Sequence, residues 1–144
     1  VDRQRRHATG DAHDELSDRL NAGDVLVLFP EGTSHDGASV LPFKSPFFAA
    51  AERLCIPVQP VSIVYAGHRN LPMSRRRRPF YAWYGDMELA PHLWQAIMAG
   101  PIEVTVICHE TLPTGLPRKE LARVAHATVR RGLAHALHGR GEMG

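Results

Sequence analysis

Val25-Leu-Val-Leu-Phe-Pro-Glu-Gly-Thr-Ser-His-Asp-Gly37 is the stretch on which the reading of this chain turns. Its first five residues are apolar and favour β-structure, the pattern of a short strand covered on both faces. Pro30, Gly32 and Gly37 then break the run and force a loop. The loop carries Glu31, Thr33, Ser34, His35 and Asp36. Polar groups at the end of a buried strand in an α/β sheet commonly face a ligand crevice. Gly32 lets the backbone approach a bound group closely, and exposed N–H groups in such a turn can hold an anion.

Outward from this stretch, helices and strands alternate. Residues 11–21 read as a helix, with Thr9 or Asp11 to cap it and Ala12, Leu16 and Leu20 on one stripe. Residues 45–54 form a second helix, with Ser45 as its cap and Pro46 at its first position. A second buried strand covers 58–65, introduced by Pro57 and interrupted by Pro60. Residues 67–79 are a polar surface excursion, 80–84 a strand, 90–99 a helix ended by Gly100, and 102–108 an alternating strand. A long helix over 117–137 presents Leu121, Val124, Ala125, Thr128, Val129 and Leu133 on one side. This order predicts an α/β fold, a mixed and largely parallel sheet flanked by helices. There is no internal repeat. Residues 1–138 read as one domain, and 139–144 as a frayed tail.

Composition sets the outer limits. The chain has 144 residues, of which 44% are apolar and 22% charged. This excludes a disordered tail, a collagen-like chain and a disulfide-stapled miniprotein. Two cysteines, Cys55 and Cys108, make no disulfide framework and suit a reducing compartment, with Cys108 expected in the core. No apolar run reaches the roughly 20 residues that span a bilayer, and no signal peptide is visible. The net charge of +2 is too small to argue for nucleic acid, and no RNA- or DNA-binding motif supports one. The basic character is local: Arg75, Arg76, Arg77 and Arg78 stand in one run, suited to anionic lipid head groups.

Phe29-Pro30-Glu31-Gly32-Thr33 resembles the signature block of the glycerolipid acyltransferases, the 1-acylglycerol-3-phosphate acyltransferase family. Three further features agree in order. Val1-Asp2-Arg3 looks like the end of the family's preceding block, Phe43-Lys44 fits its Phe-Lys pairing, and Ile56-Pro57-Val58-Gln59-Pro60-Val61 looks like its following block. The likeness covers roughly residues 1–65, and the later half fits only loosely.

The resemblance implies transfer of a fatty acyl group from a thioester, acyl-coenzyme A or acyl-acyl-carrier-protein, to a lysolipid hydroxyl. No bound cofactor or metal is implied. It implies acceptor-binding roles for Arg3, Glu31, Gly32, Thr33 and Ser34, supported by Phe29, Pro30, Lys44, Pro57 and Pro60. The family's catalytic pair is a His-x4-Asp motif, its histidine a general base oriented by the aspartate. That motif belongs upstream of Val1, so the chain reads as a partial domain lacking its catalytic block and inactive alone. The implied setting is the cytoplasmic face of the inner membrane, peripheral or anchored by the missing segment.

The sequence departs from the family in two places. Where the phosphatidate-forming members carry Arg-Ser after Glu-Gly-Thr, this chain has Ser34 and His35. One phosphate-binding charge is absent. Together with Asp36-Gly37, Trp83-Tyr84-Gly85-Asp86-Met87 and Pro91-His92-Leu93-Trp94, this resembles the bacterial acyltransferases that complete ornithine lipids, whose acceptor has no phosphate. Lysophosphatidate and lyso-ornithine lipid both stay open as acceptors. The second departure is that the upstream His-x4-Asp block is not in this chain; the accidental match of His13 and Asp18 lies on the wrong side of Arg3, its side chains about 140° apart around a helix.

Other groups carry less. His35 and Asp36 are adjacent, which suits an acceptor contact better than a hydrogen-bonded acid/base pair. His135 and His138 lack a third metal ligand, and Cys108-His109 lacks a paired base. Trp83, Tyr84, Leu93 and Trp94 fit either a core or a membrane interface. A non-catalytic lipid- or anion-binding module sharing the fold is the competing reading. An α/β hydrolase would need Gly-x-Ser-x-Gly, which is absent.

Overall fold

The structure, a computed structural model, describes residues 17–34, 39–68, 71–74, 76–82 and 88–138. Residues 17–21 are helical, the last part of the helix expected over 11–21. Its capped start, the frayed tail and the sequence elements at Val1-Asp2-Arg3, His13, His35, Asp36, Arg75 and 83–87 lie outside the described residues. Ser17 is buried and accepts a hydrogen bond from the Arg53 guanidinium, which ties this turn to the next helix.

Pro46 sits in the first turn of a 3-10 segment, Ser45–Phe48, that runs on into helix α1, Ala49–Leu54. One helix capped by Ser45 was the expectation. Instead Lys44 is the extended residue before the turn, and no side chain caps it. Helix α1 ends at Cys55, whose φ of 50° is left-handed. Its N–H bonds the carbonyls of Ala51 and Glu52, closing the helix in the way glycine usually does.

Strand β1, Val61–His68, begins after Pro60 rather than at Val58. Pro60 has no N–H to donate to a ladder, although its carbonyl accepts the His109 N–H at 3.0 Å. Strand β2, Leu71–Pro72, folds straight back on β1, with His68 opposite Leu71. The polar excursion expected over 67–79 therefore starts inside the sheet. Helix α2, Arg78–Tyr81, takes in the first two residues of the strand expected over 80–84, whose last two lie outside the described residues; Pro79 sits in its first turn, where the missing N–H costs nothing. Helix α3, Leu89–Met98, strand β3, Ile102–Cys108, and helix α4, Arg118–His138, fall close to their predicted places.

The sheet order is β2-β1-β3, and both pairings are antiparallel. The expected largely parallel sheet is thus corrected to a small antiparallel one. The register gives the reason: His68 pairs with Ile102 and Val61 with Cys108, so β3 starts where β1 ends. A parallel neighbour would need the chain carried back to the other end first. The 25–29 run, expected as a doubly buried strand, joins no strand of this sheet, and Val25 and Phe29 are 93% and 73% exposed. Cys108, expected in the core, is exposed as well.

Helix α4 covers one face of the sheet. Ser62, Val64 and Ala66 alternate inward along β1 and are buried, while Val61 and Ile63 point out and are exposed. Leu121, Ala122 and Ala125 of α4 join Phe48 and Leu112 in the core, with Phe43, Ala51, Val58, Leu116 and Val124 packed around them. The Glu52 carboxylate accepts the Arg118 N–H at 3.1 Å, satisfying an otherwise open donor at the start of α4.

Helix α4 comes close to β1 at Gly132. A Cβ built there would lie 2.7 Å from Ser62 Oγ and closer still to the His109 ring. The Ser62 hydroxyl donates to the Val129 carbonyl at 3.2 Å and contacts His109 Nε2 at 2.8 Å. With its one proton given to Val129, Ser62 must accept from His109, which assigns the imidazole hydrogen to Nε2.

Two stability outcomes follow from this geometry. Gly→Ala inside a helix normally gains about 1 kcal/mol. Gly132→Ala should instead cost about 1–3 kcal/mol through overpacking, read as a lower urea midpoint; a higher midpoint would remove the close-approach account. Cys55→Gly should gain about 1 kcal/mol by relieving the left-handed strain, measured the same way.

Candidate functional site

The 29–32 turn is closed by the Gly32 N–H donating to the Phe29 carbonyl at 3.1 Å. Pro30 stands at the second position and Gly32 at the fourth, where turn chemistry favours each. The returning segment then zips across the turn at two points. Lys44 N–H donates to the Pro30 carbonyl at 2.8 Å, and Leu41 N–H donates to Glu31 Oε2 at 2.8 Å. The Glu31 carboxylate therefore holds the far side of its own loop.

Gly32 has φ of 64°, a left-handed conformation that disfavours any side chain. A Cβ there would also lie 2.9 Å from Lys44 Nζ and 3.2 Å from the Phe47 ring. The Lys44 ammonium thus sits directly over the backbone of the turn. Thr33 and Ser34 are exposed beside it, and Thr33 Oγ1 donates to the Ser34 carbonyl at 3.4 Å. The result is a small ledge: a pinned turn, two hydroxyls and one cation.

Helix α4 supports the ledge from behind. His126 Nε2–H donates to the Val40 carbonyl at 3.3 Å, and its ring meets Phe43 edge-on at a centroid distance of 5.4 Å. Phe43 also stacks on Phe48. Beside them lies an open cleft of about 390 Å³ lined by Pro42, Phe43, Ser45, Lys119, Arg123 and His126. The Arg123 guanidinium there bonds Glu120, which holds the Glu120 carboxyl below its usual value and raises Arg123 in turn.

The structure brings Glu31, Gly32, Thr33, Ser34, Pro30 and Lys44 together. Phe29 adjoins them but is exposed rather than covered. Pro57 and Pro60 serve elsewhere, at the entry to β1. There Val58 and Pro60 accept hydrogen bonds from Leu112 and His109, and Gln59 Nε2 donates to the His109 carbonyl. Arg3 lies outside the described residues. Asp18 is exposed on its helical turn. His126 and Leu41 were missed by sequence reasoning. For His126 the signal was present, since it follows Ala122 and Ala125 at helical spacing on the buried side of α4. Among the described residues no three His, Cys, Asp or Glu side chains converge as metal ligands, and no helix is long and apolar enough to cross a membrane.

Removing the carboxylate should free the loop before it unfolds the domain. In Glu31→Ala the Leu41 amide should exchange with solvent at least tenfold faster than in the parent chain, with stability lower by about 1–2 kcal/mol. Glu31→Gln, which keeps an acceptor oxygen, should restore most of the protection. Equal exchange in all three would show that Leu41 does not depend on Glu31.

Comparison with known proteins agrees with the sequence pattern. The family described as Acyltransferase matches residues 1–64. The chain is 42% identical to a lyso-ornithine lipid O-acyltransferase of Brucella abortus, over 97% of this chain and 56% of the relative. It is 36% identical to a protein of the same name from Rhizobium meliloti, over 97% of this chain and 51% of that relative. A 1-acyl-sn-glycerol-3-phosphate acyltransferase of Haemophilus influenzae is 32% identical over 52% of this chain and 31% of its own length. The chain thus spans about half the length of the first two relatives. No solved structure matches significantly. The pinned 29–32 turn lies inside residues 1–64, the segment that the acyltransferase family matches.

Proposed function

We propose that this chain is the acceptor-binding part of an acyltransferase that moves a fatty acyl group from a thioester to the hydroxyl of a lysolipid, with lyso-ornithine lipid as the acceptor. The observation that carries the reading is the ledge at residues 29–34, pinned through Glu31 and Lys44 inside the segment the family matches. Relatives of 42% and 36% identity carry the lyso-ornithine lipid O-acyltransferase name, which supports that acceptor over lysophosphatidate.

In this reaction the acceptor oxygen attacks the thioester carbonyl. A C–O bond forms, the C–S bond breaks, and the thiol of coenzyme A or acyl carrier protein leaves with the proton taken from the hydroxyl. A histidine of a His-x4-Asp pair, outside the 144 residues, is the base. Glu31 keeps the turn closed, so that Thr33, Ser34 and the Lys44 ammonium present a fixed polar surface to the acceptor head group. Arg3 adds a guanidinium suited to a carboxylate or phosphate. Ser34 in place of an arginine lowers the positive charge, which suits a head group without phosphate. Phe29, Pro30, Pro57 and Pro60 are scaffold. The reaction takes place at a lipid surface on the cytoplasmic face of the inner membrane, with the arginines at 75–78 against anionic head groups.

The test is acyl transfer by the complete gene product, offered lyso-ornithine lipid and lysophosphatidate side by side. The parent protein should prefer the ornithine lipid, Glu31→Ala should lose at least tenfold in kcat/KM, and Ser34→Arg should shift the ratio toward lysophosphatidate. Transfer to neither, from a folded protein that still binds lipid, would replace the enzyme reading with a lipid-binding module.

A further inference from the structure

The cleft beside the ledge has a cationic wall. Helix α4 carries five Lys and Arg residues against one acid, Glu120. At 100° per residue, Lys119, Arg123 and His126 fall within an arc of about 60° and form that wall. Arg130 lies inside the same arc, one turn further on. Pro42, Phe43 and Ser45 form the other wall. The space between them, about 390 Å³, falls in the range of small-molecule sites, about 300–1,000 Å³.

Two polar groups on these walls are unpartnered. Ser45 precedes Pro46, where a cap is expected, yet its hydroxyl caps nothing and makes no hydrogen bond among the described residues. The Lys119 ammonium has no acceptor among them either. Arg123 gives Nε and Nη2 to Glu120, which leaves its Nη1 side open. A wall of this kind recognises an anion, through charge-assisted hydrogen bonds.

The position of the cleft says which anion. Residues 42–45 separate it from the ledge: Lys44 reaches Gly32 on one side, while Phe43 and Ser45 line the cleft on the other. In the proposed reaction the ledge takes the acceptor, and lyso-ornithine lipid carries no phosphate. The other substrate always brings one. In coenzyme A and in acyl carrier protein alike, the thiol ends a pantetheine arm, and the far end of that arm is a phosphate ester next to a dimethyl-substituted carbon. Lys119, Arg123 and the Ser45 hydroxyl match the phosphate, and Pro42 and the Phe43 ring match the two methyl groups.

The geometry points to this cleft as the seat of the pantetheine phosphate of the acyl donor, held by Lys119, Arg123 and Ser45. The identity of the ligand rests on the acyl-transfer reading. Glu120 is then a competitor, because it holds part of the guanidinium that the phosphate uses.

The experiment uses the complete gene product. Coenzyme A and holo-acyl carrier protein are titrated separately by calorimetry, and the acyl form of each is offered as donor. For whichever thiol the parent binds, Lys119→Gln with Arg123→Gln should weaken affinity at least tenfold. The same pair should raise the KM of that donor at least tenfold, while the KM for lysolipid moves less than twofold and the unfolding midpoint is unchanged. Glu120→Gln frees Arg123 and removes a negative charge, so it should tighten the affinity about threefold, a gain that a purely structural role for this helix face does not produce. Binding of neither thiol by the parent overturns the proposal. So do equal affinities in parent and Lys119→Gln/Arg123→Gln proteins, or a loss in Glu120→Gln. An equal loss with apo-acyl carrier protein, which lacks the arm, would give the cleft to the carrier's surface and overturn it as well. A lowered unfolding midpoint with donor KM unmoved would give the cleft to another part of the same polypeptide, with the same result. Thiol binding through Lys119 and Arg123 without acyl transfer would sink the enzyme reading alone. Acyl transfer with donor affinity unmoved by the substitutions would sink this one alone.

Discussion

The Ser62 hydroxyl is the joint on which the rest of the structure is hung. It is buried on the inner face of β1, where an unmet polar group would cost about 1–3 kcal/mol. It is met from two directions, by the Val129 carbonyl of α4 and by His109 just beyond β3. Gly132 lets the helix come near enough for both. Once α4 is seated in that position, His126 reaches the Val40 carbonyl and Phe43 finds its place against the core. The 40–44 segment is then set where Leu41 and Lys44 meet the Glu31 turn. The ledge thus depends on a contact far from it in sequence.

Much of the site was legible because its rules are local. Pro30 and Gly32 announce a tight turn in any context, and the family pattern singled out Glu31 and Lys44, though not the Leu41 N–H that Glu31 holds. Strand β3 and helices α3 and α4 were legible for a similar reason, since each carries a clear period or a glycine stop. What failed was long-range. The 25–29 run is apolar enough for a central strand, but being one requires neighbours on both edges, and among the described residues it has none in the β2-β1-β3 sheet. Direction failed likewise. Alternating helices and strands favour a parallel sheet by counting elements, whereas the ladder obeys where each strand begins in space. Pro79 misled in a smaller way, as a residue that ends one kind of element and opens another.

Two surfaces of the molecule show how the same residue types serve opposite ends. On β1 the inward residues Val64 and Ala66 are covered by α4, and the outward Val61 and Ile63 face away from it beside Val104 and Val106 of β3. On α3 the outward side is the apolar one. Apolar character alone therefore does not decide which side of an element is covered among the described residues. His92 and Ser62, both polar, are among the groups that join one element to the next.

The short length of β2 has a consequence for how the chain behaves in a concentrated solution. It pairs with β1 at Gly67 and His68, and Met73 just beyond it donates to the Ala66 carbonyl at 2.9 Å, so among the described residues the rest of that edge has no strand beside it, nor does the far edge of β3. Open edges flanked by exposed valine and isoleucine are templates for adding a strand from another molecule. These two edges are therefore where a further strand would add to this sheet, and the charges nearest them would set how readily it does.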